Sequence, residues 1–359
     1  MRQIRRFPAL LLKWTMLLSL VAIFSGCNGD RPGVYSPPKF KETVEEEFEV
    51  ISDEIYGVKV ISDMVVYGSK IIVCASNLED GTILHIYDKE SGEPLMHTLN
   101  SGRGPKELIY PGNMSFNGDS GTMVFFDIIA SKRLDIDVDD LMEHGLDAVE
   151  EVYWPSRLWN LRNIVLENGS LHTYNISYLQ RDTSSVERIE LCDRNGNIIS
   201  TYNEFPVIDD DRKRFMMYNN ELIAVSPDEE KVVITTSVGG ILEIFSMKDG
   251  ELKNITTKYF IEPGFSIEGD FCNYDDLIYS FCDLYATDDA IYAAYGGESD
   301  FKSSTGCRNI AIFDWNGNPL KLIRTGHRIV RLCLDSEDNA LYAMIQDSEG
   351  RPYIGRIRL

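Results

Sequence analysis

The chain has 359 residues, 57 acidic and 35 basic, and a formal net charge of −22 at neutral pH. That balance speaks against nucleic acid as a partner and against electrostatic docking on anionic lipid, both of which need a basic surface. Seven cysteines without CxxC spacing and five scattered histidines speak against a zinc site.

Residues 1–26 carry Arg2, Arg5, Arg6 and Lys13, then an apolar run from Trp14 to Phe24 that ends in small residues. A charged start, a short apolar core and a small-residue exit make a secretory signal, too short for a bilayer span of about 20 apolar residues. Phe24-Ser25-Gly26-Cys27 resembles the bacterial lipobox, with Phe24 in place of the usual Leu. The resemblance implies lipidation of Cys27 and a membrane-anchored, exported chain. Cleavage before Cys27 removes four basic and no acidic side chains, which takes the net charge from −22 to −26. Residues 27–40 are polar and rich in Pro and Gly and read as a tether. Only Asp30 is acidic there, so the periplasmic and outer faces of the membrane both stay open.

From residue 41 onward, short runs of Val, Ile, Tyr and Phe alternate with Gly, Asn and Asp turns, the all-β signature. Residues 43–52 alternate Val44, Phe48 and Val50 with glutamates and read as an outer strand in water. An alternating strand followed by a glycine turn then recurs at 83–94, 186–197, 241–252 and 309–320, with turn glycines Gly92, Gly196, Gly250 and Gly317. A looser copy lies at 131–145 and a truncated one at 352–359. Leu84, Leu134, Ile189, Leu242, Ile310 and Ile354 mark the six strands, at spacings of 50, 55, 53, 68 and 44. Six such units predict a six-bladed β-propeller of four-stranded antiparallel blades over 41–359. The last unit has only three strands, so the N-terminal strand 43–52 is expected to close the ring.

SGRGPKELIYPGNMSF (101–116) poses a choice between a phosphate loop and a turn. A phosphate loop needs glycines that open a helix. Here Pro105 and Pro111 follow with β-like residues, and Arg324–Leu332 stands in the same place after another outer strand. The segment therefore reads as the seam between two blades. GRGPKELIYPGNMSF, MVFFD (123–127) and KRLDIDV (132–138) together resemble one blade of an NHL or TolB-like propeller. With the lipobox, the chain is similar to the TolB-like six-bladed propeller lipoproteins of Bacteroidetes. Lys106 stands where such seams often have glycine, and Leu108 where they often have phenylalanine. The resemblance implies the fold and a cell-envelope address at the outer membrane, and little about activity.

Four places could carry chemistry. Residues 151–163 gather Tyr153, Trp154, Arg157, Trp159 and Arg162, residue types enriched at binding hot spots and equally suited to packing between blades. Arg103 could reach the channel or serve the seam. Asp209, Asp210 and Asp211 could bind calcium, although Arg212, Lys213 and Arg214 follow at once and suggest a solvated charged loop. The insertion at 261–283 brings Cys272 and Cys282, a candidate disulfide. No GxSxG, HExxH or other catalytic motif is present, and no catalytic residue is assigned. The sequence favours a binding module for a glycan, a peptide or an envelope protein. The alternative is a propeller hydrolase or lyase, acting on a lactone or sugar acid, with a channel calcium as cofactor.

Overall fold

The computed structural model describes residues 33–53, 55, 58–77, 80–109, 114–127, 129–153, 160–174, 188–218, 221–268, 271–273, 277–296 and 307–359. Strands β1 (Glu42–Glu45) and β2 (Glu49–Ser52) precede the first blade. Blade one is β3 (Val58–Tyr67), β4 (Lys70–Asn77), β5 (Thr82–Asp88) and β6 (Pro94–Asn100). Blade two is β7 (Met114–Asn117), β8 (Thr122–Asp127), β9 (Lys132–Asp137) and β10 (Glu150–Tyr153). Blade three is β11 (Asn160–Leu166), β12 (Gly169–Tyr174), β13 (Ile189–Asp193) and β14 (Ile198–Tyr202). Blade four is β15 (Glu221–Val225), β16 (Lys231–Thr236), β17 (Gly240–Ser246) and β18 (Lys253–Ile261). A small hairpin, β19 (Ser266–Glu268) with β20 (Phe271–Asn273), fills the insertion that lengthens the fourth spacing.

The remaining two blades share one strand. Blade five is β21 (Phe281–Ala286), β22 (Ile291–Tyr295), β23 (Cys307–Phe313) and the first part of β24 (Pro319–Asp335). From Arg328 onward β24 pairs with β25 (Ala340–Gln346), with Ile329 still opposite Cys307 of β23, and β25 pairs with β26 (Pro352–Arg358) and so builds blade six. Because β24 runs through both, the two blades form one eight-stranded sheet, curled at Gly326, where φ is +67°.

The repeat read from the sequence is the third strand of each blade. Leu84, Leu134, Ile189, Leu242, Ile310 and Ile354 lie on β5, β9, β13, β17, β23 and β26, and each is 0 % exposed. A third strand is covered on both faces by the neighbouring blades. Each of these side chains contributes roughly 1.5–3 kcal/mol of burial. The hydrophobic clusters accordingly run between blades, such as Ile72, Leu84 and Phe125 across blades one and two.

The acidic excess has a local structural use. Asp88, Asp193, Asp314 and Asp347 stand at the ends of strands, and each accepts N–H bonds from residues two and three or four further on. These carboxylates cap turns, as short polar side chains do where the backbone reverses. The DRNGN and DWNGN segments are two such turns.

The ring closes as expected, with differences in detail. β2 is the fourth strand of blade six, antiparallel to β26. Residues 43–52 are not one strand, however. β1 lies parallel against the outer edge of β24 in blade five, and the chain then steps to blade six. Val50 is 51 % exposed, while Phe48 at the step is 6 % exposed and packs over Gly355. Residues 33–40, expected in the tether, pack on blades four and five. Ser36 N–H donates to the Tyr259 carbonyl, and Phe40 sits against Tyr295 and Phe313. Three aromatic rings there outweigh the polar composition. In blade two, helix α1 (Val138–His144) is inserted between the third and fourth strands, N-capped by Asp137.

The cysteine pairing is also corrected. Cys282 is bonded to Cys307, with 6.1 Å between Cα atoms, and not to Cys272. Cys272 sits on the separate β19–β20 hairpin. Cys282 occupies an irregularity in β21, between Phe281 and Asp283. Beside it β22 ends at Tyr295, and at Gly296 a side chain would press on the Tyr279 carbonyl.

Candidate functional site

The innermost strands of all six blades converge on the central channel. Asp63 of β3, Met114 of β7, Arg162 of β11, Leu222 of β15, Asp283 of β21 and Arg331 of β24 line one cavity of about 100 Å³ there. Four of these six side chains are charged, two of each sign. Arg331 Nε donates to the Ser62 carbonyl at 2.7 Å and lies 4.0 Å from Asp283 Oδ1. Asp283 Oδ2 accepts from Leu332 N–H at 2.8 Å, and Asp63 Oδ1 from Met64 N–H at 2.9 Å.

Burial dominates the ionisation of this ring. It raises Asp283 to about 6 and also raises Asp63, against the opposing pull of Arg331 on both. It lowers Arg162, which the like charge of Arg331 lowers further. Glu221, at the start of β15, is raised to about 7 by burial. Arg188 Nη2 lies 3.9 Å from its carboxylate.

A calcium ion would need six to eight oxygen ligands. In the channel every carboxylate shares its space with a guanidinium, and a cation would meet Arg162 and Arg331. Among the described residues no three His, Cys, Asp or Glu side chains converge as a metal site. The donor set does not fit the ion.

Two further polar constellations lie outside the channel. Arg188, 1 % exposed, pairs with Glu243 through both terminal nitrogens and donates to the Glu204 carbonyl at 2.8 Å. Its guanidinium is sandwiched between Phe205 and Tyr218, each 4.6 Å from the ring centroid. This group ties blade three to blade four. The second is a chain of Ser170 Oγ to His172 Nε2 at 2.7 Å and His172 Nδ1 to Asn163 Oδ1 at 2.6 Å. The order is that of a nucleophile, a base and an orienting group. All three residues are only 3–6 % exposed, so a substrate carbonyl has no approach. Burial also lowers His172 to about 4, far below what a general base needs at neutral pH. The chain is a satisfied buried network.

The residues singled out from the sequence meet different fates. Cys27, Trp154, Arg157 and Trp159 lie outside the described residues. Tyr153 is 75 % exposed, and Arg162 lines the channel. Arg103 is exposed on the seam between β6 and β7. The seam is held by its neighbours: Glu107 accepts from Gly104 N–H, and Lys132 donates to the Gly104 carbonyl and pairs with Glu151. Lys106 has φ +57°, the left-handed region that glycine takes freely, and its N–H donates to Glu151 at 2.6 Å. Asp209 and Asp210 are engaged by Lys213 and Arg212 at 2.8 and 2.6 Å, and the segment expected as a solvated charged loop instead forms a short helix, Asp211–Tyr218, whose Met217 and Tyr218 are buried. Hydrogen bonds from Arg212 hold Asp210 down at about 2.

The channel residues had a signal in the sequence. VISDMVV, NLRNIVL, FCDLYA and IVRLCL each place one charged residue inside an apolar run, and each run falls on an inner strand.

No curated protein sequence matches the chain. Among solved structures, a Bacteroides fragilis protein described as exported is 14 % identical, with TM-score 0.53 over 88 % of this chain and 97 % of that one. A DUF4221 family member from Bacteroides vulgatus is 9 % identical, with TM-score 0.55 over 87 % and 96 %. A gluconolactonase from Xanthomonas campestris is 12 % identical, with TM-score 0.51 over 92 % and 99 %. At such identities the likeness is one of fold. The model of the TolB-like 6-blade propeller family matches residues 39–337, most of the chain, and the protein belongs to that family.

Proposed function

We propose that the protein is an exported, non-catalytic binding module, held at the outer membrane by a lipid on Cys27. It presents an open face of the propeller to a glycan, a peptide or an envelope protein. One observation carries the reading. The channel, where a propeller hydrolase or lyase would hold its calcium, is filled by Asp63, Asp283, Arg162 and Arg331 around a cavity of about 100 Å³. Ligand sites usually enclose about 300–1,000 Å³. The Cys282–Cys307 disulfide supports export, because such bonds persist in oxidising compartments. The leader and lipobox at 1–27 support the anchor.

The test offers the full-length protein lactones and sugar acids in the presence of calcium, followed by NMR. A parallel arm measures equilibrium binding to envelope glycan fragments, peptides and envelope extracts. The reading expects binding without turnover. Turnover that is lost in Asp283→Asn would overturn it.

A further inference from the structure

The strands of a blade alternate in direction. Connections after the first and third strands therefore lie at one end of the propeller, and those after the second and fourth strands at the other. Contacts between connections agree with this. Lys89, after the third strand of blade one, pairs at 2.6 Å with Asp335, where the first strand of blade six ends. Trp315, after β23, donates to the Thr287 carbonyl, after β21, at 3.0 Å.

The first of these ends is strongly acidic. Its connections are 68–69, 89–93, 118–121, 138–149, 167–168, 194–197, 226–230, 247–252, 287–290, 314–318 and 336–339, all of them described residues. They hold 18 Asp and Glu side chains against 3 Lys and Arg, in a chain of net charge −22.

The N-terminal segment meets the propeller at the other end. Val207 lies between β14, the last strand of blade three, and β15, the first of blade four. Its N–H donates at 3.0 Å to the hydroxyl of Tyr259, a residue near the end of β18. Tyr35 packs edge-on against Tyr259, with 5.6 Å between ring centroids. A Cβ on Gly33 would stand 3.3 Å from Val207 Cγ1. From there the chain crosses to the acidic end, where Lys41 N–H donates to the Leu320 carbonyl at the start of β24. Residues 33–41 thus form a strap along the height of the propeller, and Gly33 is its end away from the acidic connections.

Six residues lead from Cys27 to Gly33. Whatever their path, they reach about 22 Å at most. A seven-residue strand such as β17 is already about 23 Å tall. A lipid on Cys27 therefore cannot lie beyond the acidic end, and it brings the bilayer to the Gly33 end. Val34 and Val207 stand there 56 % and 58 % exposed, two aliphatic side chains in water beside the point where the chain departs for the lipid.

We infer that the end of the propeller around Val34 and Val207 is a membrane-docking surface, which rests these side chains on the lipid headgroups and turns the acidic end away. Chain length decides which end is near the bilayer, and charge agrees, because an anionic bilayer repels the acidic connections. No basic patch is needed, since the covalent lipid does the anchoring and the apolar contact adds to it. The inference rests on the lipid-anchored reading of the function. It adds that the open face offered to a partner is the acidic one.

The experiment puts a fluorescent dye on Val207→Cys or on Asn316→Cys in the lipidated full-length protein, with Cys272→Ser as background. Both positions are exposed and lie at opposite ends, and the free Cys74, Cys192 and Cys333 are buried from the reagent. The protein is bound to vesicles of phosphatidylethanolamine and phosphatidylglycerol that carry a headgroup nitroxide as quencher. The Val207→Cys dye should lose about half or more of its emission, and the Asn316→Cys dye none beyond a vesicle-free control. Quenching at neither site, equal quenching at both, or stronger quenching at Asn316→Cys would overturn the inference, provided mass spectrometry shows the lipid on Cys27. Those results would leave the anchor standing. Cys27 found without lipid in protein from its native envelope would overturn the anchor, and the inference with it.

Discussion

Arg331 faces Asp283 across the channel, yet makes its shorter bond elsewhere. Nε stands 4.0 Å from the Asp283 carboxylate and 2.7 Å from the Ser62 carbonyl of blade one. The arginine thus joins blade six to blade one and only partly compensates an aspartate of blade five. Three blades are coupled through one side chain, and the cost falls on the ionised form of Asp283.

That cost gives a pH-dependent stability. Asp283 is raised from 3.8 to about 6 by burial, which Arg331 opposes. A carboxyl with a raised folded pKa contributes stability that is complete below its unfolded value and is lost as pH climbs through the folded one. Asp283→Asn keeps an acceptor for Leu332 N–H and removes the titration. Relative to the wild type, the variant should gain about 2 kcal/mol between roughly pH 4 and pH 7, by urea unfolding at both values. An unchanged difference at the two pH values would contradict the burial of this carboxylate.

Non-reducing peptide mapping should recover Cys282 linked to Cys307, 25 residues apart. Reduction, or Cys307→Ser, should cost about 3 kcal/mol through the loop it closes. Recovery of a Cys272–Cys282 peptide would contradict the β21–β23 geometry.

At the ring closure, a Cβ on Gly355 would stand 2.9 Å from Phe48 Cβ. Phe48→Ala should cost about 3–5 kcal/mol. Gly355→Ala should cost about 1–3 kcal/mol in the wild type and less in Phe48→Ala, which keeps the Cβ but removes the close Cγ and Cδ1. Additive effects in this double-mutant cycle would show that Phe48 does not cover β26.

The buried Ser170–His172–Asn163 chain should be inert. A fluorophosphonate probe is expected to leave Ser170 unlabelled in the folded protein, as read by mass spectrometry, because the residue is 6 % exposed. Stoichiometric labelling of Ser170 would reopen nucleophilic catalysis.

Four of the third strands were legible because they pair an apolar alternation with a glycine turn, and Gly92, Gly196, Gly250 and Gly317 all have positive φ. Phe48 and Val50 were misphased because the chain steps between two blades within residues 46–48, which breaks the two-residue alternation. The disulfide was missed because a bulge at Cys282 and the end of β22 bring together cysteines that sequence proximity does not single out. The channel ring was the harder loss. Asp63, Arg162, Asp283 and Arg331 come from four blades, and no linear motif joins them. Each is visible only as a lone charge in an apolar strand, which has meaning once the strand is known to be innermost.

The most direct test of the central claim is thermal unfolding of the full-length protein in millimolar calcium and in EDTA. A channel whose carboxylates share their space with Arg162 and Arg331 predicts the same melting temperature in both. A calcium-dependent rise of several degrees, as about 3 kcal/mol of selective binding would give, would contradict it and restore the metal-dependent enzyme.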